Sequence, residues 1–101
     1  MDDKAQGHFD KAMALHKSGD YRQAAPLFKK AAELWRKDKH RAKRRDALAW
    51  QATSLRMLRM CAEALRVYED EVRPLTVALY IEGVRQLLGG RHRVPNGAQA
   101  V

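Results

Sequence analysis

The sequence has little cysteine, proline or glycine. Its one cysteine, Cys61, excludes an internal disulfide. Three prolines and six glycines in 101 residues leave few breaks for regular structure. β-branched residues are also scarce, whereas Ala, Leu, Lys, Arg, Glu and Met dominate, and these residues favour helix over sheet. The composition therefore predicts a single all-α domain.

Long apolar runs and targeting patterns are missing as well. No run approaches the ~18–20 apolar residues that a membrane-spanning helix needs. The chain opens with Met1-Asp2-Asp3, which lacks the basic and apolar regions of a signal peptide. We therefore expect a cytoplasmic protein with no membrane partner.

Signatures of catalysis and metal binding are also lacking. The four histidines show no metal-ligand spacing with one another or with cysteine; they are His8, His16, His40 and His92. Gly89-Gly90 is not followed by the Lys-Ser/Thr of a phosphate loop. We expect no enzyme activity, no cofactor and no metal. Cys61, with no histidine nearby in sequence, is expected to be a buried small hydrophobe.

Apolar residues at helical spacing predict five helices, over 4–18, 21–36 or beyond, 46–59, 62–72 and 74–88. Gly19 should end the first helix with a positive φ, and Asp20 should cap the second. Gln23 completes a capping-box pattern with Asp20. Pro26 lies inside the second helix, near its start, and we still expect helix there.

Several boundaries are left open by the sequence. The basic stretch 36–45 can extend the second helix, begin the third or form a loop between them. Residues 59–61 contain no turn former, so 46–72 forms either one helix or two. Pro74 predicts a boundary before the fifth helix, and Gly89-Gly90 predicts its end. The domain should cover residues 1–90, with 91–101 as a flexible tail.

One sequence pattern recurs 40 residues apart. The first copy is Tyr21-x-x-Ala24-x-x-x-Phe28 and the second is Cys61-x-x-Ala64-x-x-x-Tyr68. Upstream, Ala12 and Leu15 match Ala52 and Leu55 at the same offset. Small residues allow two helices to approach closely, and an aromatic side chain fills the remaining space. The pattern is typical of packed helical hairpins.

The first copy, from Gly19 to Ala31, resembles the tetratricopeptide repeat. Its Pro26-Leu27-Phe28 segment and the 40-residue spacing are similar to the long repeats of kinesin light chains. The resemblance covers about 5–88 and implies antiparallel hairpins in roughly two and a half repeats. The microtubule-interacting and trafficking domain has a similar first hairpin, but its three helices fit this chain less well.

The resemblance also implies a non-catalytic adaptor or assembly module that binds a protein or peptide on the face formed by the first helix of each repeat. Carried over to this chain, that face comprises Phe9, Met13, His16, Lys17, Thr53, Arg56 and Met57. Its mixed apolar and basic character suits a helix or peptide with acidic flanks. Alternatively, neighbouring helices cover Phe9 and Met13.

Formal net charge is +8, and much of it lies in one basic patch. The patch consists of Arg36, Lys37, Lys39, Arg41, Lys43, Arg44 and Arg45. Such a run is commonly a solvated face, and it can also bind phosphate. A small nucleic-acid-binding protein is therefore the alternative function.

The predicted fifth helix is apolar around most of its circumference. About three repeats are normally needed to bury the faces of such hairpins, and this chain has fewer. The helix therefore either closes the core or forms an intermolecular contact. For a homodimer, the self-association residues would be Leu75, Leu79, Ile81 and Leu88.

Overall fold

The computed structural model describes residues 2–92 and the side chains of 4–89. The described chain is all-α and consists of antiparallel helical hairpins. Helix α1 spans Asp2–Lys17, α2 spans Tyr21–Lys37 and α3 spans Arg41–Met57. Helix α4 covers 61–92 and has three parts, Cys61–Val67, a π-helical turn at Tyr68–Val72 and Arg73–His92. Helix α2 packs against α1 and α3, and α4 packs against α3.

Within the described residues, no helix has the length and apolar content required to cross a membrane.

Three turns of identical design join the helices, at 18–20, 38–40 and 58–60. Their middle residues all have positive φ: 86° at Gly19, 62° at Lys39 and 66° at Arg59. The residue after each donates its N–H to a carbonyl five positions back, for example Asp20 to Leu15 at 2.8 Å. This is the Schellman arrangement that satisfies the last carbonyls of a helix. The backbone therefore repeats every 20 residues, half the interval seen in the sequence pattern.

The predicted cap of α2 is confirmed. The backbone N–H of Gln23 donates to the Asp20 carboxylate at 3.3 Å, and the Gln23 side-chain amide donates to the same carboxylate at 2.8 Å. His40 and Met60, at the equivalent positions before α3 and α4, make no side-chain cap bond. The expected positive φ at Gly19 is confirmed too.

The open boundaries are now resolved. The basic stretch contributes to three elements, since it ends α2, forms the turn around Lys39 and begins α3. Residues 46–72 belong to two helices, because Arg59 takes the left-handed conformation and forms a turn between them. Arginine is not a residue type that usually forms such a turn. Asp46 lies inside α3.

The count of five helices is wrong, because Pro74 does not break α4. The backbone N–H of Arg73 donates to the carbonyl of Tyr68, five residues back, in the π-helical turn. A proline removes one helical hydrogen bond and crowds the carbonyl four residues before it, here that of Asp70. The π-helical turn is wider than an α-helical turn and contains Asp70, so it accommodates the pyrrolidine ring of Pro74. The expected half-repeat is therefore the continuation of the fourth helix.

Alanines make up much of the core and bring the helices close together. Eight lie in the first three helices and are at least nine-tenths buried: Ala5, Ala12, Ala24, Ala25, Ala31, Ala32, Ala47 and Ala52. Trp35 and Phe28 are the largest fully buried side chains. The Phe9 ring contacts both, with centroid separations of 5.6 Å and 5.5 Å. The small-residue and aromatic pattern of the sequence thus builds the first hairpin.

The second half of α4 extends beyond the body of the bundle. Val72 and Leu75 are buried against α3, but from Gly83 to Gly89 every side chain is exposed or half-exposed. Gly89-Gly90 does not end the helix, which continues to His92, so the predicted tail begins inside it. The remainder of that tail, 93–101, lies outside the described residues.

Candidate functional site

The first hairpin presents a groove that α3 fills, here called the first groove. We define it by eight residues of α1 and α2, none of which is exposed: Phe9, Ala12, Met13, His16, Tyr21, Ala24, Ala25 and Phe28. The Trp50 ring of α3 stacks on Phe28 at 6.2 Å and meets His16 edge-on at 5.1 Å. Ser54 Oγ, fully buried, lies 3.0 Å from His16 Nδ1. One aromatic side chain and one hydroxyl thus anchor α3 in the first groove.

The second hairpin has an equivalent groove that no part of the described chain fills, here called the second groove. It is an open depression of about 380 Å³ lined by Ala49, Ala52, Thr53, Arg56, Cys61, Ala64, Leu65 and Tyr68. Each of these eight positions lies 40 residues after a position of the first groove. The positions that are covered in the first hairpin therefore line an open depression in the second.

The second groove is apolar with one cationic side. Ala52 and Ala64 are nine-tenths buried and form its floor, while Leu65 and Tyr68 are 56% and 48% exposed on its α4 side. Arg56 is the one charged residue among the eight described lining residues. Exposed apolar side chains gathered at one depression are typical of binding surfaces.

The interpretation of Cys61 as a buried residue is wrong. Cys61 is exposed and lines the second groove, at the position that Tyr21 occupies in the first hairpin. Tyr21 packs edge-on against His16 at 4.9 Å, whereas the counterparts Cys61 and Arg56 are both exposed. A small side chain at the mouth of the groove leaves room for an incoming one.

The predicted peptide-binding face divides between the two grooves. Its members Phe9, Met13 and His16 lie in the first groove, where they pack with the core and with α3. Thr53 and Arg56 line the second groove, Met57 is 47% exposed and Lys17 is exposed. The α4 side of the groove was missed by the sequence reasoning. The 40-residue repeat could have identified it, because Leu65 and Tyr68 correspond to Ala25 and Phe28.

The basic patch surrounds the turn between α2 and α3, and carboxylates offset much of its charge. Arg36 pairs with Glu33 and Arg41 with Glu82, while Arg45 is 2.9 Å from Asp46 and Arg44 is 3.9 Å from Glu71. The hydrogen bond from Arg36 lowers the pKa of the Glu33 carboxyl. Lys43 lies over the Trp35 ring, 5.6 Å from its centroid.

Two of these pairs join α3 to α4. Cations in the first turn of α3 are unfavourable near the positive end of the helix dipole. The carboxylates of Glu71 and Glu82 therefore compensate Arg44 and Arg41 there. Lys37 and Lys39 are exposed. Arg41 and Arg44, two of the seven residues of the patch, thus contribute to docking α4 on α3.

The four predicted self-association residues lie on different faces of α4. Leu75 is 8% exposed against α3, and Leu79 is half-buried near the start of α3. Ile81 and Leu88 are 45% and 58% exposed. The helix therefore closes the core with one face and leaves another apolar face uncovered.

Comparison with known protein families, curated proteins and solved structures finds no match to this chain. Among the described residues, no cluster of three or more histidine, cysteine, aspartate or glutamate side chains could hold a metal ion.

Proposed function

We propose that the chain is a non-catalytic protein-binding module of tetratricopeptide type, and that its second groove binds a helix of a partner protein. One observation carries the proposal: the eight residues that line the open groove of the second hairpin lie 40 positions after eight residues of the first hairpin that are all buried or half-buried. Two of those earlier residues, His16 and Phe28, contact Trp50 of α3. A groove between two antiparallel helices fits a third helix, whose ridges enter it.

The expected partner segment is an amphipathic helix with a large apolar side chain at its centre. Trp50 fulfils this role in the first groove, between His16 and Phe28. The second groove offers Leu65 and Tyr68 as apolar walls, and Ala52 and Ala64 permit close approach. Arg56 at its side favours a carboxylate on the flank of the partner helix.

We prefer a protein partner to nucleic acid because most arginines of the basic patch already pair with carboxylates. Four of its arginines lie within 4.0 Å of carboxylates, and Lys43 packs over a ring. Arginines that already pair with carboxylates add little to phosphate binding, in which unpaired cations of a protein displace the counterions condensed on the nucleic acid.

Selection from a displayed library of helical peptides tests the second groove. Binders should carry apolar residues at i, i+3 or i+4 and i+7. Leu65→Glu should weaken them at least about tenfold, since a charge would enter the apolar contact. Fluorescence anisotropy with labelled peptides measures the affinity, and circular dichroism checks that the exposed substitution leaves the helices intact.

Leu87→Glu is the matched control, because Leu87 is 61% exposed on α4 but lies outside the second groove. Its affinity for the peptides should equal that of the parent protein. An empty selection, or peptides bound equally by the Leu65→Glu variant, would contradict the proposal. Salt-sensitive binding of duplex DNA or RNA that is abolished by reversing Arg41, Arg44 and Arg45 would favour the alternative function.

A further inference from the structure

The second half of α4 carries two apolar faces on opposite sides. One face contains Leu75 and Leu79, which pack toward α3. The other contains Val77, Tyr80, Ile81, Val84, Leu87 and Leu88, here called the outer stripe. At about 100° per residue, the outer stripe lies roughly opposite the buried face. Its members are three or four positions apart, the spacing with which one helix packs along another.

The outer stripe is too exposed to be an ordinary helix surface. Tyr80 is 71% exposed, Leu87 61%, Leu88 58%, Val77 49% and Ile81 45%. Together these side chains present an apolar surface on the order of 500 Å². Two such surfaces give roughly 1,000 Å², which reaches the lower limit for a specific protein interface. A helix that is apolar on all sides is normally buried on all sides.

The charges along α4 distinguish between possible directions of a partner helix. Glu69, Asp70 and Arg73 are exposed just before the outer stripe and leave one net negative charge there, with Arg73 3.6 Å from Glu69. After Glu82 the sequence contains no acidic residue, and the arginines of α4 in that part are Arg85 and Arg91. A second copy running antiparallel brings the acidic end of each helix near the basic end of the other. A parallel copy would place like charges side by side.

We propose that two copies of this chain associate through the outer stripe, antiparallel, with the two-fold axis between Tyr80 and Ile81. In this register Val77 of one copy is level with Val84 of the other, and the two Ile81 side chains are neighbours. The bundles lie on the outer sides of the paired helices, because α3 packs on the opposite face of α4. The two stripes overlap from Val77 to Val84, and this shared patch serves both copies, as a two-fold interface requires. Leu87 and Leu88 are level with Pro74 and Arg73 of the other copy.

Light scattering over a concentration range tests the association. The parent should reach twice its mass of 11.6 kDa, while Tyr80→Glu with Ile81→Glu should remain monomeric. Leu65→Glu is the matched control, because Leu65 is as exposed as the outer stripe but lies in the second groove; it should dimerise like the parent. A parent that remains monomeric up to about 1 mM overturns the proposal.

Leu65→Glu also separates this inference from the proposed function. If it abolishes the dimer, the C-terminal helix of the second copy occupies the second groove and the paired-helix arrangement is wrong. If the parent is monomeric while peptides still bind the second groove, only the dimer proposal fails.

Disulfide trapping in a Cys61→Ser background tests the register. The two Ile81 positions are offset by about 1.5 Å along the helix axis, whereas the two Leu88 positions are about 22 Å apart. Ile81→Cys should therefore form a cross-linked dimer on mild oxidation and Leu88→Cys should not. Cross-links at both positions would indicate parallel helices, and a link at neither would exclude the outer stripe as the contact; each result overturns the proposal.

Discussion

The two hairpins have the same backbone plan and different interiors. In the first, Phe9, Phe28 and Trp35 make ring contacts, and Trp50 of α3 completes the cluster. In the second, Ala49 and Tyr68 stand where Phe9 and Phe28 stand, and Tyr68 is 48% exposed. The next helix makes the difference. The chain turns after α2, and α3 packs over the first hairpin, whereas α4 continues past Pro74 and no further described helix follows it.

That difference indicates how one pattern can serve both stability and binding. A groove between two helices becomes core when the chain itself supplies the third helix. It remains a surface when the chain does not. The comparison therefore predicts that equivalent substitutions have unequal effects on stability in the two hairpins.

The largest difference in the free energy of unfolding is expected between substitutions at the two equivalent aromatic positions, Phe28 and Tyr68. Phe28→Ala removes a fully buried ring and should lower the free energy of unfolding by about 3–5 kcal/mol. Tyr68→Ala, at the equivalent place, should lower it by less than about 1 kcal/mol, because half of that side chain is already in water. Urea denaturation gives both values. Similar losses for the two variants would show that the second groove is covered by protein.

A smaller difference is expected for two neighbouring hydroxyls of α3. Ser54→Ala removes the partner of His16 in a fully buried position and should cost about 1–3 kcal/mol. Thr53→Ala removes a half-buried hydroxyl that bonds its own helix at Ala49, and should change stability by about 0.5 kcal/mol or less. The same denaturation measurement compares them, and an equal cost would argue against a specific His16–Ser54 contact.

The smallest expected effects are at the turns. Gly19→Ala places a side chain at a φ of 86° and should cost about 1 kcal/mol, although its Cβ would meet no other atom within 4 Å. Arg59→Gly relieves the same strain in the second hairpin and should stabilise by about 0.5–1 kcal/mol. The melting temperature should fall for Gly19→Ala and rise for Arg59→Gly. A fall for Arg59→Gly would mean that the Arg59 side chain makes a contact that stabilises the fold by more than the positive φ destabilises it.

The sequence was informative where local signals agreed with one another. Gly19, Asp20 and Gln23 predicted the first turn and its cap, and the apolar spacing predicted α1 and α2 to within about two residues at each end. It was less informative at Lys39 and Arg59, because neither residue type favours positive φ. Only packing of the flanking helices on each other makes that conformation worthwhile.

The second groove was partly predictable. Thr53 and Arg56 were identified through the family resemblance, and the 40-residue repeat contained the information needed to add Leu65 and Tyr68. Exposure could not be predicted, because the sequence pattern is the same whether or not another helix covers it. Leu75 and Ile81 illustrate the same limit, since they differ in burial and not in type.

By itself, the sequence determined that this protein is helical and that its first hairpin packs through alanine and aromatic side chains. These properties depend on local propensity and on short-range spacing along a helix. Tertiary structure alone decided that α4 runs on through a π-helical turn at Pro74 instead of folding back. That path keeps Val72 and Leu75 buried against α3 and brings Glu71 and Glu82 to arginines of α3. It leaves the second groove and the outer stripe exposed, because no further helix in the described chain returns to cover them.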